Sequence, residues 1–358
     1  MTRLFVDGRA LGDDSAYRGI GTYLRNMLVG LARDEAFTTT VLATEGTPLP
    51  PGVQRMPLRR RAPGRFARLE HELLLPLDLS RATADVVHSP AQDPPMRCRP
   101  PWVQSLHDVE PLRSGSASER RRWRRNAHRI RRAAAVIAVS EWSARVGTDV
   151  LGLDSRLVHV VHHGVAERFR PPDRREPPLT PYVLLVGEYD PRKRHELAFA
   201  VVAALADKGL PHRLVVAGRI APWYAGAMRR LVEASPRPDL VELTGYVSED
   251  ELLGLYQCAS AVLVTSSAEG FGFPALEAMA CGTPVVAFAN SAVRELLEGA
   301  AALVPDADVT AMTTATYRLL TDEAAWQDAS AAAVSRAGEF TWAKCVEQHA
   351  QIFRAVAG

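Results

Sequence analysis

Two carboxylates separated by seven residues, Glu269 and Glu277, bracket a segment suited to a phosphorylated, hydroxyl-rich ligand. Between them lie Gly270-Phe271-Gly272 and Pro274. Proline suits the first turn of a helix, where its missing N–H costs nothing. Gly282, after ALEAMA, suits the left-handed stop of that helix. The glycines therefore form a tight loop that opens onto a helix N-terminus. Free amides and the helix dipole there favour an anion such as phosphate, and glycine lets a ligand approach the backbone closely. A carboxylate only accepts hydrogen bonds, which suits a polyhydroxyl partner. Two readings stand side by side. The acids match the helix dipole and do nothing more, or they take sugar hydroxyls while the amides hold a diphosphate.

Other residues could supply charge and proton-sharing groups. After YVLLVG comes Arg192-Lys193-Arg194, and a cation there would neutralise a departing nucleoside diphosphate. His107-Asp108 follows WVQSL. A histidine at a strand end also reads as structural, held by a backbone carbonyl, with Asp108 capping the next segment. Arg18-Gly19-Ile20-Gly21 lacks the third glycine of the dinucleotide fingerprint, which weakens an NAD reading. Ser248, three residues before Glu251, has capping-box spacing. Ser140 reads as a helix cap.

These residues need strand ends to carry them. In the first half LFVDG (4–8), TTTVLAT (38–44), ADVVHS (84–89), WVQSL (102–106), AAVIAVS (134–140) and LVHVV (157–161) are apolar on both faces. The second half repeats the pattern with YVLLVG (182–187), HRLVVAG (212–218), LVELTG (240–245), AVLVTS (261–266), TPVVAF (283–288) and AALV (301–304). Such runs predict strands buried in parallel sheets, and their alternation with helix-length stretches predicts right-handed crossovers. The expected architecture is α/β, with two doubly wound Rossmann-like domains facing across a cleft at the carboxyl ends of both sheets. The expected domains are 1–170 and 182–340, joined by a proline-rich linker at 171–181. The helical stretch in 341–358 is a candidate to return to the first domain.

Composition narrows the class. The chain has 358 residues, 47% hydrophobic and 23% charged, ordinary for a folded globular protein. Lys and Arg number 43 against 41 Asp and Glu, so no global charge nominates a nucleic-acid binder. No apolar run approaches the ~18 residues that span a bilayer, and MTRLFVDGRAL is unlike a signal peptide. Cys98, Cys258, Cys281 and Cys345 are too scattered for a disulfide framework or a zinc site. A reduced, cytoplasmic protein is the expectation.

The motifs taken together resemble family 4 retaining glycosyltransferases of the GT-B fold. EGFGFPALEAMACGTPVV carries the paired glutamates, and VLLVGEYDPRKRHE, LVVAGR and VELTGYVSEDELLGLYQCASAVLVTSS precede it in the family's order. RGIGTYLRNML, VVHSP, SLHDVEPL, VIAVSEWSA and VHHGV match in the first half, so the resemblance covers nearly the whole chain. It implies that Glu269 contacts the donor sugar, that Glu277 contacts the nucleotide ribose, and that the backbone at Gly270, Phe271 and Gly272 faces sugar and diphosphate. For Phe273 a core position is expected. Lys193 aligns with the family's diphosphate lysine, whereas Arg192 and Arg194 read as solvated charges. Glu188 stands where many relatives carry an arginine, with Arg219 a weak substitute. Tyr246 and Val247 fall where relatives present backbone to the nucleobase. Gly19 and Gly21 enter as donor contacts, with a tight turn as the alternative. His107 is the family's sugar-side histidine. His162-His163-Gly164-Val165 replaces the usual Asn-Gly-Val and reads as structural.

The implied reaction moves a hexose, with GDP-mannose slightly favoured as donor, to the hydroxyl of a glycan, lipid-linked or small-molecule acceptor by front-face displacement. Positioning and charge stabilisation carry it. No cofactor and no metal are expected. The alternatives are a sugar-nucleotide epimerase or hydrolase on the same fold, and a non-enzymatic basic protein of membranes or nucleic acid. The stretch 118–134 bears eight arginines, with Trp123, Ala127, Ile130 and Ala134 at helical spacing. Together with Arg59, Arg60, Arg61 and Arg65 it forms either a solvated face or a patch for anionic headgroups at the inner membrane surface. No base-reading module accompanies it, and no nucleic-acid partner is expected.

Overall fold

The computed structural model describes residues 1–12, 16, 19–58, 83–90, 98–107, 109, 116–175, 178 and 180–358. Arg18, Arg59, Arg60, Arg61, Arg65 and Asp108 lie outside the described residues. The chain divides into two compact units, Met1–Gly164 with Thr341–Gly358, and Val165–Phe340. Residues 165–170 thus group with the second unit rather than the first, and so do the described residues of the proline-rich stretch.

The first unit is built on β1 (Thr2–Asp7), α1 (Gly19–Leu31), β2 (Phe37–Ala43), β3 (Gln54–Pro57), β4 (Val86–Ser89), β5 (Trp102–Leu106), α2 (Ala117–Ile130), β6 (Ala135–Ala138), α3 (Glu141–Leu151) and β7 (Val158–Val160). Its seven strands are all parallel, in the order β3-β2-β1-β4-β5-β6-β7. Central strands β4, β5 and β6 are buried along their whole length, while edge strands β3 and β7 are partly exposed. That contrast is what a sheet covered on both faces requires. Strand β3 has no apolar run, so periodicity does not reveal it; pairing with β2 places it.

The chain's last helix, here α11 (Trp342–Ala357), belongs to this unit. Leu24, Met27, Leu28 and Leu31 of α1 recur at three- and four-residue spacing. They share one core with Leu4, Val6, Val86 and Ile137 of the sheet and with Cys345, Ala350 and Phe353 of α11. Truncating the fully buried Phe353 to Ala would cost roughly 3–5 kcal/mol.

The second unit contains β8 (Tyr182–Val186), α4 (His195–Asp207), β9 (Arg213–Ala217), α5 (Ala225–Glu233), β10 (Val241–Gly245), α6 (Glu249–Cys258), β11 (Ala261–Val264), α7 (Phe273–Ala280), β12 (Val285–Phe288), α8 (Ser291–Leu297), β13 (Ala302–Val304), α9 (Val309–Thr321) and α10 (Glu323–Ala337). Its parallel sheet runs β10-β9-β8-β11-β12-β13. Both sheets therefore have the dinucleotide-fold order, and each reverses direction once, between β1 and β4 and between β8 and β11. Ligands bind such sheets beyond the carboxyl ends of the strands that flank the reversal.

Candidate active site

In the second unit the loops after β8 and β11 are laced together by backbone. The Thr265 hydroxyl donates to the Lys193 carbonyl at 2.6 Å, and the Ser267 amide donates to the Arg192 carbonyl at 2.8 Å. This lacing brings two of the expected residues into contact: Nζ of Lys193 lies 2.5 Å from Oε1 of Glu269. Ser266 donates its hydroxyl to the same oxygen at 2.5 Å, and the Glu269 amide donates to Oγ of Ser291 at 2.9 Å. Burial pushes the Glu269 carboxyl up, but the Lys193 ammonium and the hydrogen bonds from Lys193 and Ser266 hold it below its ordinary value.

Gly272 caps α7 with φ 112, a left-handed conformation that a side chain would strain, and Pro274 follows in the first turn. Lys193, Ser266, Glu269, Gly272 and Pro274 line a pocket of about 320 Å³, part of it open to solvent. Phe271 is buried and packs edge-on against Phe273 at 5.3 Å and against Phe340 at 6.3 Å. Gly270 lies in the same loop, half-buried.

Glu277 sits one turn into α7, half-buried, and accepts a hydrogen bond from the Tyr256 hydroxyl at 2.9 Å. Burial pushes its carboxyl up to about 7, against the hydrogen bond from Tyr256; the Glu249 charge raises it further, and Arg168 opposes that. Tyr246 is exposed and Val247 half-buried just beyond β10. Ser248 closes a capping box with Glu251, and Ser140 caps α3 by accepting from the Ser143 amide.

Arg194 corrects an expectation. It is not a solvated charge: its side chain is 17% exposed, and it donates to the carbonyls of Thr265 at 2.8 Å and Ser266 at 2.9 Å. It also pairs with Asp306 at 2.6 Å. Arg192 is nearer the surface and pairs with Asp190. Arg219 reaches Glu188 at 3.3 Å, so the acid in the arginine position takes up the cation expected to replace it.

In the first unit His107 lies just past β5 in a buried aromatic group. Its ring meets Tyr23 at 4.6 Å and stacks on His163 at 5.4 Å. His88 of β4 and His349 of α11 complete the group. Burial lowers all four imidazoles, His107 to about 3 and His349 to about 4, so they are neutral at pH 7. No set of three or more His, Cys, Asp or Glu among the described residues could hold a metal ion.

Gly19 and Gly21 form the first turn of α1. Gly19 is exposed, whereas a Cβ on Gly21 would lie 2.3 Å from the Ala16 carbonyl, so close packing explains that glycine. Helix α2 turns Trp123, Ala127 and Ile130 into the core and ends before Ala134, which leads into β6. Among the described residues, no helix is long and apolar enough to cross a membrane.

Ser266, Ser291, Tyr256, His88 and His349 carry much of this geometry without being singled out by sequence. A signal existed only for Ser266, which ends the run AVLVTS just beyond β11.

Residues 17–169 match the family model described as Glycosyltransferase Family 4, and residues 180–322 match that described as Glycosyl transferases group 1. The chain is 30% identical over 168 residues to O-antigen chain mannosyltransferase B of Escherichia coli, covering 47% of this chain and 44% of that protein. It is 32% identical over 222 residues to a D-inositol 3-phosphate glycosyltransferase of Streptomyces bingchenggensis, covering 56% and 48%. The chain thus spans under half the length of these curated relatives. Sucrose-phosphate synthase of Thermosynechococcus elongatus shares the fold, with a TM-score of 0.82 over 99% of both chains at 21% identity. With one family model matching in each Rossmann-like unit, the chain belongs to the group 1, family 4 glycosyltransferases of the GT-B fold.

Proposed function

We propose that the protein transfers a hexose, with retention, from a nucleoside diphosphate sugar to a hydroxyl acceptor. The observation that carries this is the Lys193–Glu269 contact beyond β8 and β11, beside the N-terminus of α7. A cation and an ionised carboxylate in one pocket, beside the N-terminal end of a helix, fit a diphosphate joined to a sugar. Lys193 and the positive end of the α7 dipole meet the charge that grows on the departing diphosphate. Glu269 accepts from the sugar hydroxyls. Glu277 takes the ribose, the backbone at Tyr246 and Val247 borders the base, and His107 keeps the sugar contact that the family resemblance gives it. No resident cofactor or metal enters this scheme.

In front-face displacement the acceptor oxygen bonds to the anomeric carbon as the bond to the diphosphate breaks on the same side. The leaving phosphate oxygen takes the acceptor's proton. GDP-mannose is the favoured donor, supported by the name of the mannosyltransferase relative. The acceptor is a glycan or a lipid-linked hydroxyl, and the exposed arginines of α2 favour anionic headgroups nearby.

A thermal-shift panel of GDP, UDP, ADP and dTDP with their sugar conjugates tests the donor site, because a ligand of the native state raises its melting temperature. A shift selective for one base, followed by sugar transfer from that donor, is expected. Donor consumption without acceptor would favour an epimerase or hydrolase, and no shift with any nucleotide would contradict the proposal.

A further inference from the structure

Among the described residues the buried Nε2 of His107 has no hydrogen-bond partner. Ring contacts therefore bear on its orientation, the edge-on Tyr23 ring at 4.6 Å and 61° and the stacked His163 ring at 5.4 Å and 21°. Both neighbours are in turn fixed by the last helix. The Nδ1 of His349 lies 2.8 Å from the Cys345 carbonyl. A carbonyl only accepts, so Nδ1 carries the proton, and in the neutral ring Nε2 must accept. The Tyr23 hydroxyl, 2.8 Å from that Nε2, is therefore the donor. Its oxygen is left to accept from Ser105 or His88, at 3.4 and 3.3 Å. On the other side, Trp342 stacks on His163 at 5.8 Å and 30°.

We propose that α11 is a positioning element for the first unit's site: His349 through Tyr23, and Trp342 through His163, hold the His107 imidazole in its working orientation. None of these four is a catalytic residue. The inference rests on the proposed role of His107 at the transferred sugar. An imidazole packed between fixed rings can meet a sugar hydroxyl without first being reorganised.

The test uses the full chain. Acceptor-dependent nucleoside diphosphate release from GDP-mannose and UDP-glucose, with an alkyl mannoside as hydroxyl acceptor, is followed in Tyr23→Phe, His349→Leu, His349→Gln and His107→Ala, with folding checked by thermal melts. Gln places an acceptor oxygen near the position of Nε2, whereas Leu keeps only bulk. Tyr23→Phe and His349→Leu are expected to lower kcat about tenfold or more with the donor KM within about twofold of the parent, and His349→Gln to restore most of kcat. The ring nitrogen resonances of His107 should shift in Tyr23→Phe without ligand, a readout that requires no turnover. Unchanged kcat and resonances in Tyr23→Phe would overturn the inference, as would His349→Gln behaving like His349→Leu. Loss in His107→Ala without loss in Tyr23→Phe or His349→Leu removes only the positioning role. Full activity of His107→Ala removes the assignment beneath it.

Discussion

Lys193 and Glu269 are 76 positions apart in sequence, yet their charged groups meet at 2.5 Å, with side chains 18% and 17% exposed. Glu269 occupies the ammonium that an incoming diphosphate would claim. The two variants should therefore behave in opposite ways towards bare nucleoside diphosphate. Lys193→Ala should weaken it by roughly 1.5–3 kcal/mol, the usual worth of a hydrogen bond to a charged group. Glu269→Ala should bind it as tightly as the parent or tighter, because the lysine has lost its internal partner, while sugar transfer is lost. Calorimetric titration with GDP and UDP decides this, and weaker binding by Glu269→Ala would contradict it.

Arg194 holds the same two loops together from below, at a cost. Its φ of 48 lies in the left-handed region, which disfavours any residue with a Cβ by roughly 1–2 kcal/mol. The carbonyls of Thr265 and Ser266 and the carboxylate of Asp306 offset that strain. Arg194→Ala keeps the strain and loses the donors, whereas Arg194→Gly loses the donors and relieves the strain. Both should be less stable than the parent in urea, the alanine variant by about 1 kcal/mol more than the glycine variant. Equal losses would show that the backbone term is absent. Both should also lose transfer, because the loop that carries Glu269 is released.

The strands were legible because parallel strands covered on both faces leave continuous apolar runs, and each of the twelve runs is a strand in the fold. β3, an exposed edge, has no such signature. The candidate residues Lys193, Glu269 and Glu277 were legible through the family's motif, but the Lys193–Glu269 contact was not. It depends on bonds from Thr265 and Ser267 to carbonyls, and backbone groups are alike in every sequence. Arg194 was misread because a run of charges does not show which member enters a left-handed turn beneath a loop. His88 and His349 were invisible for a different reason. His88 is a lone histidine at the end of an apolar run and His349 one polar residue among several on its helix, and only the fold brings them both to Tyr23.

That histidine group makes the first unit sensitive to acid. His88, His107, His163 and His349 surround Tyr23, with Ser105 and Cys345 beside them, and burial depresses all four imidazoles. The unfolded chain binds their protons near pH 6.5, while the folded chain resists until about 4 at His349 and about 3 at His107. The stability that the neutral rings retain is complete above pH 6.5 and is lost as pH falls from there towards 4. Each histidine contributes a slope of about 1.4 kcal/mol per pH unit within that window. Unfolding of the parent at a series of pH values between 7 and 4 should be steeper than that of His349→Gln by about one proton. Parallel curves would contradict the burial argument.

Glu277 is displaced the other way, its carboxyl held up to about 7 by burial. An ionised carboxylate accepts from a ribose hydroxyl more strongly than a protonated one, so nucleotide affinity should rise as pH increases through 7. The difference between the parent and Glu277→Gln isolates this from titration of the phosphate itself. Tyr256→Phe removes the hydrogen bond that favours the ionised form, so the rise should move to higher pH. A parent-minus-Gln difference that is flat with pH would separate Glu277 from the nucleotide.

The arginine-rich helix is tested last, because the fold narrows what it can do. Trp123, Ala127 and Ile130 face the core, so α2 has no apolar stripe left to insert into a bilayer. Arg121, Arg124, Arg125, Arg131 and Arg132 are exposed. Any attachment to anionic headgroups is then electrostatic, worth about 1 kcal/mol for each arginine near the surface. Such attachment should vanish by about 1 M salt, where the screening length is near 3 Å. Sedimentation with phosphatidylserine vesicles is expected at low salt, with none on phosphatidylcholine alone, and Arg121→Glu with Arg124→Glu and Arg125→Glu should reduce it. Binding that persists in high salt would mean that apolar groups outside α2 enter the bilayer. Absence of binding at low salt would leave the helix a solvated face.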